Sequence, residues 1–275
     1  MHTMHTMDTV SHEMTNLRVH IAPVGYEVDR VVLSAKKMRA DRIYLLVHEE
    51  PDEDSPRFLK SCETKLKRAN IEVKVVKANR FRIFPIIKTV NDIIRKESKN
   101  QIYVNVTTGS KLQGIGCMMA CMLCENRDNI HPYYPRPKEY HKLGKGEQLA
   151  YGLGDIDEDL PTYEMKTPPK KLVETLAIIQ YYGKITKANL ADIAIRTELI
   201  IVNARDENQN QATYASLDKN LIRALEFDWK FVKVEKVGKH RWISLTKEGK
   251  YASEFLLDEK IDEKYVFDNI PRYNA

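Results

Sequence analysis

The chain has 275 residues, 43% of them hydrophobic, and a net charge of +5 from 44 basic and 39 acidic side chains. That length accommodates two domains of ordinary size, and the apolar content excludes a globally disordered chain. The mild positive balance does not by itself call for nucleic acid. No apolar run approaches the roughly 20 residues of a membrane span, and no basic-then-apolar leader opens the chain, so the sequence reads as a cytoplasmic protein with no membrane contact.

The first 16 residues, with a repeated Met-His-Thr carrying His2 and His5, read as a frayed end and not as a metal site. From Leu17 short apolar runs alternate with helical patterns. Strands are expected at Leu17–Val24, Ile43–Val47, Ile71–Val76 and Ile102–Val106. Helices are expected at Glu27–Arg39, Arg57–Ala69, Phe84–Arg95 and about Ser110–Glu125, where apolar residues recur at helical spacing. Tyr133-Tyr134 and Gln148–Tyr151 resemble closing strands. Buried β-branched strands alternating with helices predict a Rossmann-like, largely parallel sheet covered on both faces. Cys62, Cys117, Cys121 and Cys124 do not make a disulfide framework, and small buried hydrophobes are the better reading of them.

Residues 155–169 change character: Asp155, Asp157, Glu158 and Asp159 precede Pro161, and Pro168-Pro169 ends the stretch. This reads as a linker between an α/β domain at 17–154 and a smaller domain at 170–275. In the latter, Lys170–Tyr182 is amphipathic and closes on Gly183, Thr186 is a good N-cap for Lys187–Ile195, and a third helix is expected over roughly Ala212–Phe227. Phe231–Val234 and Trp242–Leu245 flank a hairpin signal at Val237-Gly238-Lys239-His240, and a last helix starts near Thr246. Three helices followed by a basic hairpin is the order of a winged helix-turn-helix. The polar stretch Arg205–Gln211 departs from a compact version of it.

Two loops carry the candidate chemistry. The first, Asn105-Val106-Thr107-Thr108-Gly109-Ser110-Lys111, joins the fourth strand to its helix. Its glycine and small hydroxyl residues let backbone approach a ligand, and the helix N-terminus favours an anion. Lys111 opposes the helix dipole, which makes more sense beside a phosphate. A plain turn capped by Thr108 or Ser110 is the alternative, and the spacing is not that of a Walker loop. The second, Pro23 to Arg30, contains Gly25 for a tight turn and Tyr26, able to stack on a nucleobase. Both loops should emerge at one edge of the sheet, where open α/β sheets bind ligands.

The pattern Asn105-x-Thr107-x-x-x-Lys111, with the Gly25 loop after the first strand, resembles the CARF domain, the CRISPR-associated Rossmann fold, over residues 17 to 153. The attached winged helix is similar to that of CARF–winged-helix transcriptional regulators, found mainly in archaea. The resemblance implies a homodimer whose paired pockets bind a cyclic oligoadenylate, often the four-adenylate ring. It implies that Gly25 and Tyr26 line the ligand from the first loop, while Thr107, Thr108, Gly109, Ser110 and Lys111 hold phosphates and ribose from the second. No further cofactor is implied.

In the C-terminal domain, Thr213, Tyr214, Ser216, Lys219, Asn220 and Arg223 are polar positions of the expected reading helix, and Lys236, Lys239, His240 and Arg241 belong to the wing. Between Lys230 and Lys250 seven basic residues face two glutamates, a local excess suited to the phosphates of double-stranded DNA. A winged helix used for protein contact is the alternative. A ring nuclease that cleaves its cyclic ligand in the CARF pocket is the second functional class. No histidine or carboxylate pair stands out for acid–base work there, so no residue is assigned as catalytic. Arg136 and His141 have the R-x4-H spacing of a HEPN ribonuclease, but in a proline-rich loop, and are read as chance.

Overall fold

The computed structural model describes residues 16–124, 128–141, 147–158, 160–202 and 208–257. The chain forms two compact units, Met1–Glu164 and Met165–Ala275.

In the first unit, strands β1 (Arg18–Pro23), β2 (Arg42–Val47), β3 (Glu72–Lys77), β4 (Gln101–Asn105) and β5 (Ile130–Pro135) hydrogen-bond in the order β3-β2-β1-β4-β5, all parallel. The helices between them are α1 (Asp29–Lys37), α2 (Ser55–Lys67), α3 (Ile83–Lys96) and α4 (Lys111–Leu123). One face of the sheet, with Val19, Ile21, Ile102 and Val104, packs in one core with Ile86, Val90 and Cys117 of α3 and α4. The other, with Ala22, Ile43 and Leu45, packs with Val31, Phe58 and Leu66 of α1 and α2. Burial on both faces is why these strands read as continuous apolar runs. The chain starts at β1, builds to β3 at one edge, and returns to place β4 on the free side of β1. That reversal makes the β1–β4 pair a topological switch point.

A short antiparallel pair, β6 (Glu139–Tyr140) with β7 (Ala150–Tyr151), follows. The expected strand at Gln148–Tyr151 is thus real but shorter, and it does not close the main sheet. The start of the segment expected as a linker, 155–169, is paired. Ile156–Asp157 forms β8, antiparallel to Tyr134-Pro135 of β5, and Arg136 pairs with Asp157 at 2.9 Å. An acidic start to a segment does not prevent edge pairing when its neighbour supplies backbone partners and a guanidinium. Residues 1–15 of the expected frayed end lie outside the described residues.

The second unit is a winged helix domain. Its order is α5 (Lys170–Tyr182), β9 (Lys184–Thr186), α6 (Lys187–Arg196), α7 (Gln209–Leu217), β10 (Val232–Val237), β11 (His240–Leu245) and α8 (Lys247–Leu256). Thr186 caps α6 by accepting from the Asn189 amide, and Thr246 caps α8 by accepting from the Gly249 amide. Gly238, at φ +61°, opens the two-residue turn between β10 and β11. Leu176, Ile179, Ile185, Leu190, Leu217, Leu221 and Ile243 share the core.

The third helix differs from expectation. It begins at Gln209, inside the polar stretch, and after Leu217 winds as two π-helical turns, Asp218–Ile222 and Ala224–Asp228. The wider winding accompanies the burial of Leu217, Leu221, Ile222 and Leu225 in one core. Residues 203–207, which include the first three of the polar stretch, lie outside the described residues. Among the described residues no helix is long and apolar enough to cross a membrane.

Candidate functional site

The loops after β1 and β4 leave adjacent strands at the switch point and touch each other. A Cβ on Gly25 would lie 2.9 Å from the Gly109 Cα. Gly109 itself sits at φ +79°, and a Cβ there would meet Gln113 Oε1 and Pro23 Cβ, each at 2.7 Å. Two glycines therefore allow a backbone crossing that side chains would block.

Asn105, the last residue of β4, shapes the second loop. Its Oδ1 accepts from the Thr107 amide (3.0 Å), the Thr107 hydroxyl (2.9 Å) and the Thr108 amide (3.3 Å). Its Nδ2 reaches the Arg30 carbonyl of α1 at 3.5 Å. Ser110 and Gln113 then form a reciprocal capping box: Ser110 Oγ accepts from the Gln113 amide, and Gln113 Oε1 accepts from the Ser110 amide at 2.9 Å. The amides of Lys111 and Leu112, in the first turn of α4, have no acceptor within the helix. Lys111 is exposed beside them.

Two clefts border this loop, and Ser110 lines both. The larger, about 500 Å³, is lined by Arg30, Thr107, Lys111, Ile115, Met118 and Tyr134 among others. Arg30 is buried, held by its Nε on the Pro135 carbonyl and its Nη1 on Glu27, each at 2.8 Å. Its Nη2 has no hydrogen-bond partner among the described residues. Burial pushes the Glu27 carboxyl upward, and the neighbouring Arg30 opposes that shift. Two cations, small hydroxyls and free amides fit an anionic group.

The smaller cleft, about 310 Å³, is lined by Gly25, Tyr26, Ser55, Arg80, Phe81, Gly109 and Gln113 among others. Asp52 joins its walls. It accepts from the Tyr26 hydroxyl (2.8 Å), Arg80 Nη1 (3.1 Å) and the Ser55 amide (2.7 Å). Burial alone would raise the Asp52 carboxyl, but these hydrogen bonds outweigh it and hold it down to about 2.

Of the seven residues the sequence pointed to, Gly25, Tyr26, Gly109 and Ser110 border the smaller cleft, and Thr107, Ser110 and Lys111 the larger. Thr108 borders neither: its side chain is fully buried and its hydroxyl has no partner among the described residues. Sequence reasoning missed Arg30, Asp52, Arg80 and Phe81. Arg30 closes the Pro23–Arg30 loop already singled out, but was given no role there. The other three follow β2 and β3 in loops without a motif, and only the parallel sheet brings those loops to the same edge.

In the winged helix domain a cleft of about 320 Å³ is lined by Thr186, Lys187, Ala188, Tyr214, Lys239, His240 and Arg241. Four of the expected DNA-binding residues thus meet at the wing tip, joined by Lys187, which pairs with Asp218 at 2.5 Å. Lys219, Arg223 and Lys236 are exposed. Asn220 Nδ2 donates to Ser216 Oγ at 3.0 Å, which ties both side chains to the helix. Thr213 is corrected. It is 6% exposed and its hydroxyl donates to the Gln209 carbonyl, so it faces the core. Among the described residues no group of three or more His, Cys, Asp or Glu side chains could hold a metal ion. Arg136 is committed to Asp157, and His141 lies beside Glu139 at 3.3 Å.

The fold and these clefts define a two-unit protein, a Rossmann-like α/β unit followed by a winged helix domain. Residues 18–140 match the family model described as "HFX_2341_N:-like, N-terminal", and residues 171–256 match the DUF6293 C-terminal winged helix domain. The chain is 28% identical over 251 residues to "Uncharacterized protein MJ1513" of Methanocaldococcus jannaschii, a match covering 80% of this chain and 71% of that one. Among solved structures it is similar to Can2 from Sulfobacillus thermosulfidooxidans in complex with cyclic tetra-adenylate. That likeness has a TM-score of 0.36 and 13% identity over 87% of this chain and 63% of the other. It is also similar to Enterococcus italicus Csm6 bound to cyclic hexa-2'-fluoro-hexa-dAMP, with a TM-score of 0.34 and 13% identity over 46% of this chain. The chain covers 34% of that Csm6 chain's length.

Proposed function

We propose that this protein is a ligand-responsive DNA-binding regulator whose α/β unit binds a cyclic oligoadenylate and whose winged helix binds double-stranded DNA. The observation that carries the first half is the Gly25–Gly109 contact at the switch point. It sets the open end of α4 and Lys111 beside Arg30 in one cleft, an arrangement suited to phosphate. The CARF resemblance of the same two loops supplies the ligand class.

A homodimer belongs to this reading, and α4 supports it. Lys111–Leu123 is apolar nearly all round, yet Ile115 is half exposed and, with Met118 and Tyr134, borders the larger cleft. A helix apolar on every side is ordinarily buried on every side. A second copy docked on this face would bring two α4 N-termini together around one ligand. The basic cleft at Lys187, Lys239, His240 and Arg241 supports the DNA half.

The reading is tested by a mobility-shift titration of the protein on DNA from its own promoter region, with and without cyclic tri-, tetra- and hexa-adenylate. One of the three rings should change the DNA affinity. Binding that is absent throughout, or indifferent to every ring, overturns the proposal.

A further inference from the structure

The two clefts beside the Gly109–Ser110 turn differ in chemistry. The larger carries Arg30, Lys111 and Thr107, all groups for an anion. The smaller carries aromatic rings and a guanidinium, and at about 310 Å³ it lies at the low end of the size of ligand pockets. It suits one flat heterocycle and not a whole oligonucleotide ring.

Phe81 is its most unusual lining residue. The ring is 69% exposed although it stands at the edge of a cavity, with the His48 ring edge-on at 5.0 Å and the Arg80 guanidinium 5.0 Å from its centroid. Lone exposed aromatics are common on protein surfaces. This one, however, is placed with care. The Phe81 amide donates to Asn79 Oδ1 at 3.0 Å, fixing the turn, and Arg80 beside it is held by Asp52. Asp52 also holds Tyr26 and Ser55, so one carboxylate aligns residues from the loops after β1, β2 and β3. Among the described residues the Arg80 guanidinium hydrogen-bonds only to Asp52, through Nη1, which leaves most of its five donors for a ligand. Gln113 adds a buried donor: its residue is 2% exposed, it lines this cleft, and its Nε2 has no hydrogen-bond partner among the described residues.

We infer that the smaller cleft is a base pocket, in which one heterocyclic base of the ligand stacks on Phe81 while Arg80, aligned by Asp52, donates to the base edge. This rests on the nucleotide-binding reading above and adds to it a division of labour. The phosphate lies toward Lys111 and Arg30, and the base lies across the Gly25–Gly109 contact. Asp52 is a positioning residue, because its oxygens are engaged by Tyr26, Ser55 and Arg80. Phe81 and Arg80 touch the ligand.

The test is calorimetric titration of the full chain with cyclic tetra-adenylate. Base–aromatic stacking predicts that Phe81→Ala weakens binding by about 10- to 100-fold, with Phe81→Tyr close to wild type. Asp52→Asn should weaken binding in parallel, and adding Arg80→Ala to it should cost little more. Since Phe81 is mostly exposed, its variants should melt with the wild type, so a lost affinity is not a lost fold. If Phe81→Ala binds as wild type while Lys111→Ala does not, the base pocket is wrong and the phosphate site stands. If the wild type binds no cyclic tri-, tetra- or hexa-adenylate, both readings fall.

Discussion

The backbones of Gly25 and Gly109 touch, so closely that a methyl group on the first would lie 2.9 Å from the Cα of the second. This contact fixes how the two ligand-facing loops sit against each other. Overpacking at such a point typically costs about 1–3 kcal/mol, and Gly25→Ala should cost that much in urea unfolding. Gly109→Ala should cost more, because its added methyl meets two atoms at 2.7 Å and its φ of +79° is unfavourable for alanine. Gly238→Ala is the control. Its φ is +61° but nothing lies within 4 Å of the added carbon, so it should lose only about 1 kcal/mol. Equal costs at all three sites would contradict the steric reading.

Asn105 should matter for the ligand more than for the fold. Its Oδ1 organises Thr107 and Thr108 through three hydrogen bonds. Asn105→Asp keeps the acceptor, and Asn105→Ala removes it. The expected order of cyclic oligoadenylate affinity is wild type, then Asp, then Ala. An alanine variant that binds like wild type would show that the loop needs no such template.

The α/β unit should lose stability below about pH 6.5 through His20. This ring is fully buried on β1, stacked on Tyr103 at 5.0 Å and bonded to Tyr133. Burial, with help from the Arg18 charge, lowers its pKa from 6.5 to about 3. Above pH 6.5 folded and unfolded chains both carry a neutral ring, so nothing is lost. Between about 6.5 and 3 the unfolded chain takes up a proton that the folded chain refuses, and stability falls by up to about 1.4 kcal/mol per pH unit. Denaturant midpoints measured from pH 7.5 to 5 should show this slope in wild type and a shallower one in His20→Gln. Parallel slopes would rule the histidine out.

On the DNA side, Lys239→Ala and Arg241→Ala should each reduce the slope of log affinity against log salt by about one, as expected for a lost phosphate contact. Thr213→Val, at a core-facing position, should leave DNA affinity unchanged. A strong effect of Thr213→Val together with none at the wing would place the DNA elsewhere.

Much of the fold was legible because its causes are local. Val19, Ile21, Ile43 and Leu45 lie in runs that only a strand buried on both faces explains, and Thr186 announces α6 by its own hydroxyl. The first half of the candidate site was legible for a similar reason: Ser110 and Lys111 act within one turn of α4, and Gly25 and Gly109 stand in loops that each carry their own turn signal, although their contact with each other is long-range. Asp52, Arg80 and Phe81 were not, since no residue near them hints that three loops share one edge. Ile156–Asp157 was hidden by its acidic neighbours. Thr213 was assigned to the polar side by its hydroxyl, although it stands one turn before Leu217 and shares its buried face.

The central claim is that the Lys111 cleft binds a cyclic oligoadenylate, and thermal unfolding of wild type and Lys111→Ala with cyclic tri-, tetra- and hexa-adenylate tests it most directly. A ring present at a hundred times its dissociation constant stabilises by about 2.7 kcal/mol. The wild type should therefore melt several degrees higher with one of the rings, and Lys111→Ala, unchanged without ligand, should lose most of that gain. A wild-type melting temperature indifferent to all three rings, or a gain undiminished in Lys111→Ala, would contradict it.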